Sequence, residues 1–174
     1  MADVPDSIVL RRDRDLAGRA HEIWFRRGFF ALLPAVSIVA LLNVFGQRPS
    51  TSTATAPAAT LQLYAPSRLR SGLLYQARFR IAAHRELRKA TLLLDPGWAE
   101  STQMNTIEPS PVNEASANGS LSFDLGHIPA GGSYVLFMQF QVNPTNVGRH
   151  PASVTLLDGG RRVAELRHSI FVFP

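Results

Sequence analysis

Five histidines are the side chains best suited to acid–base or metal chemistry: His21, His84, His127, His150 and His168. None of them stands three or four residues from another, as the two ligands of a helical metal pair do. The sequence contains no cysteine, which excludes disulfides, thiolate zinc sites and a cysteine nucleophile. His168 alternates with Leu166 and Ile170, and this spacing predicts a half-buried histidine with satisfied hydrogen bonds. The sequence therefore predicts no metal site and no cofactor.

A serine hydroxyl and an aspartate carboxylate are the other groups considered for catalysis, because both act as catalytic groups in enzymes. Ser133 follows a Gly-Gly pair, but it opens a predicted strand and lacks the strand-to-helix turn that exposes a nucleophilic serine. Asp95 stands in Asp-Pro-Gly, where we expect it to cap its own turn. We therefore expect no catalytic residue and interpret the chain as not an enzyme. One alternative stays open, an envelope hydrolase whose site would join His84, His127 and an acid in three dimensions.

Arginines and one tryptophan are the candidates for contacting a partner. Arg78 and Arg80 fall on the polar side of one predicted strand, with further basic residues nearby in sequence: Arg68, Arg70, Arg85, Arg88 and Lys89. Such a cluster fits anionic lipid headgroups or an acidic partner. The alternative is an ordinary solvated strand face with Glu86 compensating the charge. Trp98 follows a Pro-Gly turn, where it either anchors a partner or closes one end of the fold.

The basic residues do not have the distribution of a nucleic-acid-binding protein. The formal net charge of +5 comes from 18 basic residues, of which Lys89 is the single lysine. They are scattered through two regions, without a long basic run interleaved with aromatics, so nucleic-acid binding is not expected. The preference for arginine over lysine indicates a GC-rich bacterial genome.

One apolar stretch organises the chain. Residues 28–46 carry no charge and lie between a double arginine and Arg48. As a helix they would be about 28 Å long, close to the roughly 30 Å hydrocarbon core of a bilayer. Trp24 and Phe25 precede the stretch, as interfacial anchors do. We predict a transmembrane helix over 28–46. A cleaved signal peptide and a buried core helix are the alternatives.

The arginines on either side of this stretch predict its orientation. Six arginines precede it and only Arg48 follows it closely, which predicts a single-pass protein of the cell membrane with a cytoplasmic N-terminus. Residues 1–27 would then be a cytoplasmic segment, amphipathic and helical over 13–27. Asn43, within the apolar stretch, is a candidate for hydrogen bonding to a partner's membrane helix.

The remainder of the chain divides into a linker and a folded domain. Residues 47–59 are rich in Ser, Thr, Ala and Pro and nearly uncharged, which predicts a linker because they cannot bury a core. From residue 60 the pattern follows the two-residue period of half-buried strands. In LLYQARFRIAA, for example, Tyr75 and Phe79 share one side and the arginines the other. The extracytoplasmic domain is therefore predicted to occupy residues 60–174.

About seven such strands are predicted, and they define the fold class. TLQLY is expected to be the first edge strand, and Asp158-Gly159-Gly160 signals a hairpin. Residues 99–118 are expected to be a polar surface loop with a short strand around Met104–Ile107. Short strands with one apolar face predict an all-β, antiparallel, immunoglobulin-like β-sandwich, preceded by one transmembrane α-helix.

The closing half of the domain carries a resemblance. LGHIPAGGSYVLFMQFQVNPTNVGRHPASVTLLDGG resembles bacterial extracytoplasmic immunoglobulin-like modules of the cell-adhesion-related and conserved-repeat families. In both, a Gly and a Pro-x-Gly precede a long alternating strand and a final hairpin. LLLDPGW is similar to their apolar strand that ends in a Pro-Gly turn. The resemblance covers 60–174 and implies binding, spacing or assembly roles without common catalytic residues, although this chain has one copy where those families have tandem arrays.

These observations favour a membrane-anchored extracytoplasmic interaction module, an accessory subunit or assembly partner of another membrane or envelope protein. The expected partners are the lipid bilayer and that protein, with no nucleic acid and no small-molecule substrate. The alternative is an envelope sensor or carrier that binds a ligand between its sheets.

Overall fold

A long apolar helix is the first described element of the computed structural model, which describes residues 20–42, 44 and 47–174. Helix α1 (Ala20–Leu41) contains Pro34 in its interior, and the Ser37 hydroxyl donates to the Leu33 carbonyl at 2.9 Å. Its 22 residues correspond to about 33 Å. The stretch His21–Leu41 is long and apolar enough to cross a membrane, which suits a membrane anchor or a signal sequence.

The helix ends earlier than the sequence predicts. Residues 20–27 belong to α1, in agreement with the helix predicted over 13–27. The last residue of α1 is Leu41, and Leu42 and Val44 lie in a turn. Residues 1–19 and Asn43 lie outside the described residues.

The chain divides into two compact units, Met1–Val44 and Phe45–Pro174. Residues 47–174 of the second unit contain thirteen strands, and not the seven predicted, with one short helix, and together they form the predicted antiparallel β-sandwich. Its elements in chain order are β1 (Pro49–Thr55), β2 (Ala59–Pro66), β3 (Arg68–Arg70), β4 (Leu74–Ala83), β5 (Leu87–Leu94), α2 (Pro96–Ser101), β6 (Thr102–Glu108), β7 (Asn113–Ala117), β8 (Ser120–Ile128), β9 (Ser133–Val142), β10 (Gly148–Pro151), β11 (Val154–Asp158), β12 (Arg161–Leu166) and β13 (Ser169–Phe173).

The strands form three sheets. Sheet A has the order β1-β2-β4-β9-β6, sheet B the order β10-β13-β3, and sheet C the order β12-β11-β5-β8-β7. Neighbouring strands are antiparallel, except that β13 and β3 are parallel. Alternate side chains of these strands enter one continuous hydrophobic core, as the sequence pattern predicts. In β4, Tyr75, Ala77, Phe79 and Ile81 are buried, whereas the residues between them are exposed.

The prediction of a linker over 47–59 is wrong for most of that range. Residues 49–55 form β1, the edge strand of sheet A, which pairs antiparallel with β2 from Pro49↔Pro66 to Thr55↔Thr60. TLQLY therefore lies in the second strand and not at the edge. Strands of Ser, Thr and Ala lack the apolar alternation used for prediction, but backbone hydrogen bonds to β2 hold this segment in the sheet.

The predicted loop over 99–118 is also largely ordered into regular structure. The short strand expected around Met104–Ile107 is confirmed and extends over the whole of β6. The missed strand β7 is entirely exposed and pairs with β8. Asn118 and Gly119, both at positive φ, turn the chain between β7 and β8, and this Asn-Gly pair is a recognisable hairpin signal. The predicted Asp-Gly-Gly hairpin is confirmed between β11 and β12.

Candidate functional site: the basic–aromatic face of sheet A

Strand register places two exposed aromatic rings on either side of Arg78. The side chains of Gln76, Arg78 and Arg80 point away from the core, as the alternation predicts. Arg78 pairs with Tyr64 of β2 and with Phe137 of β9. Because directly paired residues of neighbouring strands project on the same side of the sheet, the three side chains form one row. We call Tyr64, Arg78, Arg80 and Phe137 the basic–aromatic face.

The arginine of this row is stacked on the tyrosine. The Arg78 Cζ lies 4.8 Å from the centroid of the Tyr64 ring. Tyr64 is 38% exposed and Phe137 is 37% exposed. A cavity of about 230 Å³ adjoins the row, lined by Gln47, Pro49, Tyr64, Pro66, Tyr75, Gln76, Arg78 and Phe137. The Arg78 guanidinium makes no hydrogen bond or ion pair within residues 47–174, so its N–H donors are available to an acceptor.

The electrostatic character of this face is positive. Arg80 pairs in register with Gln62 and Val135, which carry no charge. Among residues 47–174, neither Arg78 nor Arg80 has an ion-pair partner. Glu108 is the acid nearest in register, and it pairs with Phe137 on the side away from Arg78. The arrangement can therefore accept a carboxylate through charge-assisted hydrogen bonds.

Trp98 does not contribute to a binding surface. Its side chain is 0% exposed, and its ring lies 5.8 Å from that of Phe79 and 5.0 Å from that of Phe140. The indole Nε1 donates to the Ser153 carbonyl at 3.2 Å. Helix α2 directs the ring inward, so the interpretation of Trp98 as a partner contact is wrong, and the ring belongs to the hydrophobic core. Asn43, the other predicted contact, lies outside the described residues.

The basic cluster of the sequence separates in the fold. Arg68 and Arg70 lie on β3 of sheet B, whereas Arg88 and Lys89 lie on β5 of sheet C. Lys89 is compensated there, since its Nζ lies 3.7 Å from Asp124. Residues that are close in sequence therefore contribute to different surfaces.

The histidines have separate environments. The His84 Nε2 lies 2.8 Å from the Thr60 hydroxyl, and the His127 Nε2 lies 3.1 Å from Glu86 in an exposed pair. His168 is half-buried, as predicted, and burial lowers its pKa, opposed by a backbone hydrogen bond with Pro66. Its Nδ1 lies 3.5 Å from the Ser52 hydroxyl, whereas its buried Nε2 has no hydrogen-bond partner, so the prediction of fully satisfied hydrogen bonds is wrong. No group of three or more metal-ligating side chains comes together in the described part of the chain.

Ser133 lies where the sequence places it, whereas the prediction that Asp95 caps its own turn is wrong for its side chain. Ser133 opens β9. Asp95 is the N-cap of α2, but its side chain makes no capping hydrogen bond, and its carbonyl accepts from the Trp98 N–H at 3.0 Å.

Sequence reasoning identified the arginines of the face and missed its aromatic residues. Tyr64 belongs to TLQLY, and Phe137 of SYVLFMQFQV lies on the same side of its strand as Gln139 and Gln141. Both occupy polar positions of the alternation, and an aromatic residue at such a position is the signal that would have found them. That they flank Arg78 depends on the register of three strands.

Comparison with known proteins gives neighbours for the fold only. No family model matches the sequence, and no curated protein matches it. The solution structure of CaCohA2 from Clostridium acetobutylicum is similar at 11% identity and a TM-score of 0.47, over 68% of this chain and 92% of that chain. A non-cellulosomal cohesin from Archaeoglobus fulgidus has 13% identity and a TM-score of 0.43, over 72% and 92%. The human F-spondin reeler domain has 12% identity and a TM-score of 0.44, over 67% and 93%.

Proposed function

We propose that this chain is a membrane-anchored interaction module. In this proposal α1 holds the chain in the bilayer, and the sandwich lies outside the cytoplasm. The sandwich docks a protein partner on the basic–aromatic face, and the partner is another membrane or envelope protein that presents carboxylates. The observation that carries the proposal is the exposed stack of Arg78 on Tyr64 beside Phe137, without an acidic partner in residues 47–174.

The composition of the face supports a protein partner. Tyr, Phe and Arg are enriched at protein interfaces, and Tyr and Arg are prominent among the residues whose truncation costs the most binding energy. An arginine already stacked on a ring has less conformational freedom to lose when it binds. The cavity beside the row, about 230 Å³, is smaller than the roughly 300–1,000 Å³ of small-molecule pockets, which suits a side chain of a protein better than a whole small ligand.

The anchor and its orientation are supported by composition. Every described side chain of α1 from His21 to Leu41 is exposed except Val39, which is half-buried. An apolar surface of this size is unfavourable in water and favourable in lipid. The excess of arginines before the stretch favours a cytoplasmic N-terminus. A reporter fused after Pro174 should therefore be active only if it functions outside the cytoplasm, and activity of a cytoplasm-only reporter would reject this orientation.

Site-specific photo-cross-linking in native membranes tests the docking face. A photoreactive residue replaces Gln76, which is exposed two positions before Arg78 on the same strand face. The matched control replaces Ala115 on β7, exposed at the edge of sheet C. A discrete adduct from position 76 and none from position 115 is expected. Adducts from position 115 alone, or equally from both, would reject the basic–aromatic face as the docking site.

A further inference from the structure

The chain enters the sandwich at one end, which we call the basal end. Gln47 is fixed there, because its side-chain amide donates to the Leu74 carbonyl at 3.4 Å. The turn at 71–73 and the loop at 143–147 lie at the same end. Their proximity follows from two hydrogen bonds, Gly72 N–H to the Val142 carbonyl at 3.2 Å and Val142 N–H to the Leu73 carbonyl at 2.9 Å.

Exposed apolar side chains are concentrated at this end. Seven large apolar residues are exposed in residues 47–174: Tyr64, Leu73, Leu74, Val112, Phe137, Val147 and Phe171. Leu73, Leu74 and Val147 are 43%, 49% and 50% exposed and lie on the turn, the first residue of β4 and the loop. Phe171, 37% exposed, lies on sheet B, whose strand β3 leads directly into the turn. Four of the seven therefore lie at or beside the basal end.

Arginines flank these apolar side chains. Phe171 of β13 pairs with Arg149 of β10 and with Arg68 of β3, and Phe173 pairs with Arg70. The three strands of sheet B contain no Asp or Glu. None of the three arginines has an ion-pair partner within residues 47–174.

Two acids beside α2 lie near this end of the sandwich. Glu100 of α2 is exposed, and its carbonyl accepts from the side chain of Asn146 in the 143–147 loop. Asp95, the N-cap of α2, is half-buried at the end of β5, which runs back towards the basal end after β4. The three arginines outnumber these two acids, so the end is basic on balance. We call Leu73, Leu74, Val147 and Phe171 with Arg68, Arg70 and Arg149 the basal surface.

We infer that the basal surface binds an anionic lipid surface, with the leucines and valine at the headgroup level and the arginines on lipid phosphates. This inference rests on the anchoring proposed above and adds a second contact with the membrane. Apolar side chains ringed by arginine have the composition of interfacial membrane-binding surfaces. The basal surface shares no residue with the basic–aromatic face, which carries the proposed protein contact, but adjoins it, since Leu74 lies two positions before Gln76 on the outer side of β4.

The length of the connection favours lipid over other occupants. Residues 42–48 separate Leu41 from Pro49, and eight residue steps reach at most roughly 28 Å when fully extended. A span that ends near the bilayer surface would therefore keep the basal end within that distance of the headgroups. The connection would give the basal end a high effective concentration at the headgroups. Even a weak interaction with lipid would then be populated, because the binding is intramolecular.

The absence of cysteine from the sequence permits a direct test on the full chain. Leu73→Cys is labelled with an environment-sensitive fluorophore, and the chain is reconstituted into vesicles of phosphatidylcholine with or without phosphatidylglycerol. The matched control is Ala130→Cys, exposed in the turn between β8 and β9. That turn lies at the opposite end, since the Gly131 N–H donates to Ala83, the last residue of β4. A lipid-borne quencher reports contact, and resistance to alkaline extraction reports anchoring separately.

In anionic vesicles the emission of the fluorophore at position 73 should be blue-shifted and quenched by the lipid-borne quencher. The emission at position 130 should be that of a fluorophore exposed to water. Arg68→Gln and Arg70→Gln should each lower the ratio of lipid-bound to unbound basal surface by about fivefold. Added salt should also lower this ratio, because it screens the charges. If the extraction-resistant chain gives water-like emission at both positions, the basal contact is overturned while the anchor stands. If the chain is extracted, the anchoring itself is overturned. Val147→Cys provides a second reporter, and water-like emission there too confirms the rejection.

Discussion

On sheet C two of the cations lie beside acids, whereas the outer face of sheet A leaves its two arginines without acids. On sheet C, Lys89 lies 3.7 Å from Asp124, and Arg162 donates to Glu165. On sheet A, Arg78 is stacked on Tyr64 instead. A face of mutually compensated charges gives a partner little to gain, because each charge must exchange one partner for another. The comparison of the two sheets indicates that the pairing of charges, and not their number, distinguishes a solvated face from a candidate docking face.

The most disruptive test removes the edge of sheet A while leaving sheet C intact. A fragment of residues 60–174 lacks β1 and the seven residue pairs that join it to β2. At roughly 0.5–1.5 kcal/mol net for each backbone hydrogen bond, the loss is on the order of 5 kcal/mol, comparable with the stability of a whole domain. Thermal unfolding followed by circular dichroism should be cooperative for residues 47–174 and broad or absent for residues 60–174. Equal transitions in both fragments would show that β1 does not support the fold.

Replacing Trp98 should destabilise both faces together. The ring packs on Phe79 and Phe140 of sheet A, and its Nε1 bonds to Ser153 just before β11 of sheet C. Trp98→Ala should lower the free energy of unfolding by about 3–5 kcal/mol, measured by denaturant titration. Trp98→Phe is the control, since it keeps an aromatic ring and loses the hydrogen bond, and it should cost clearly less. A loss below about 1 kcal/mol for the alanine variant would contradict the packing.

A smaller effect should appear in the pH dependence of the free energy of unfolding, through a histidine at the edge of sheet A. His168 lies against Ser52 of β1, and burial lowers its pKa below the ordinary value of 6.5. Above about pH 6.5 the histidine is neutral in both folded and unfolded chains and adds no pH dependence. As the pH falls from about 6.5 through the lowered folded pKa, the unfolded chain binds the proton first and stability is lost. The free energy of unfolding of His168→Gln should vary less over this range, and identical slopes would reject the assignment.

The smallest expected effects compare one arginine from each face. Arg78→Ala should cost about 0.5–1 kcal/mol of folding stability, because it removes an exposed cation–π contact. Arg162→Ala should cost roughly 0.2–1 kcal/mol, because the pair with Glu165 is exposed. Urea titration of both variants measures this. A loss above about 2 kcal/mol for Arg78→Ala would show that the arginine is a structural residue and would weaken its assignment to binding.

Strands with alternating apolar residues could be predicted from the sequence, because the polarity of each side chain indicates whether it lies on the buried or the exposed side of the strand. β4 and β9 are examples. β1 and β7 could not be predicted in that way, since the first is composed of small polar residues and the second is wholly exposed. Their conformation is decided by hydrogen bonds to β2 and β8, which are properties of the pairing and not of the segment.

The candidate site shows the same limit. Alternation within β4 was enough to place Arg78 and Arg80 on the outer side. Tyr64 and Phe137 reach Arg78 only through the register of β2 and β9 against β4. Trp98 could not be placed by sequence either, because the direction of its side chain depends on the short helix α2 that follows β5.

Cross-linking of paired arginine variants in membranes tests the central claim most directly. With the photoreactive residue at position 76, the adduct yield is compared between Arg78→Ala and Arg162→Ala in the full chain. Removing a stacked arginine from a docking face should reduce the yield at least about tenfold, and removing the paired arginine of sheet C should leave it unchanged. Equal yields from the two variants would contradict the assignment of the basic–aromatic face as the surface that binds a partner.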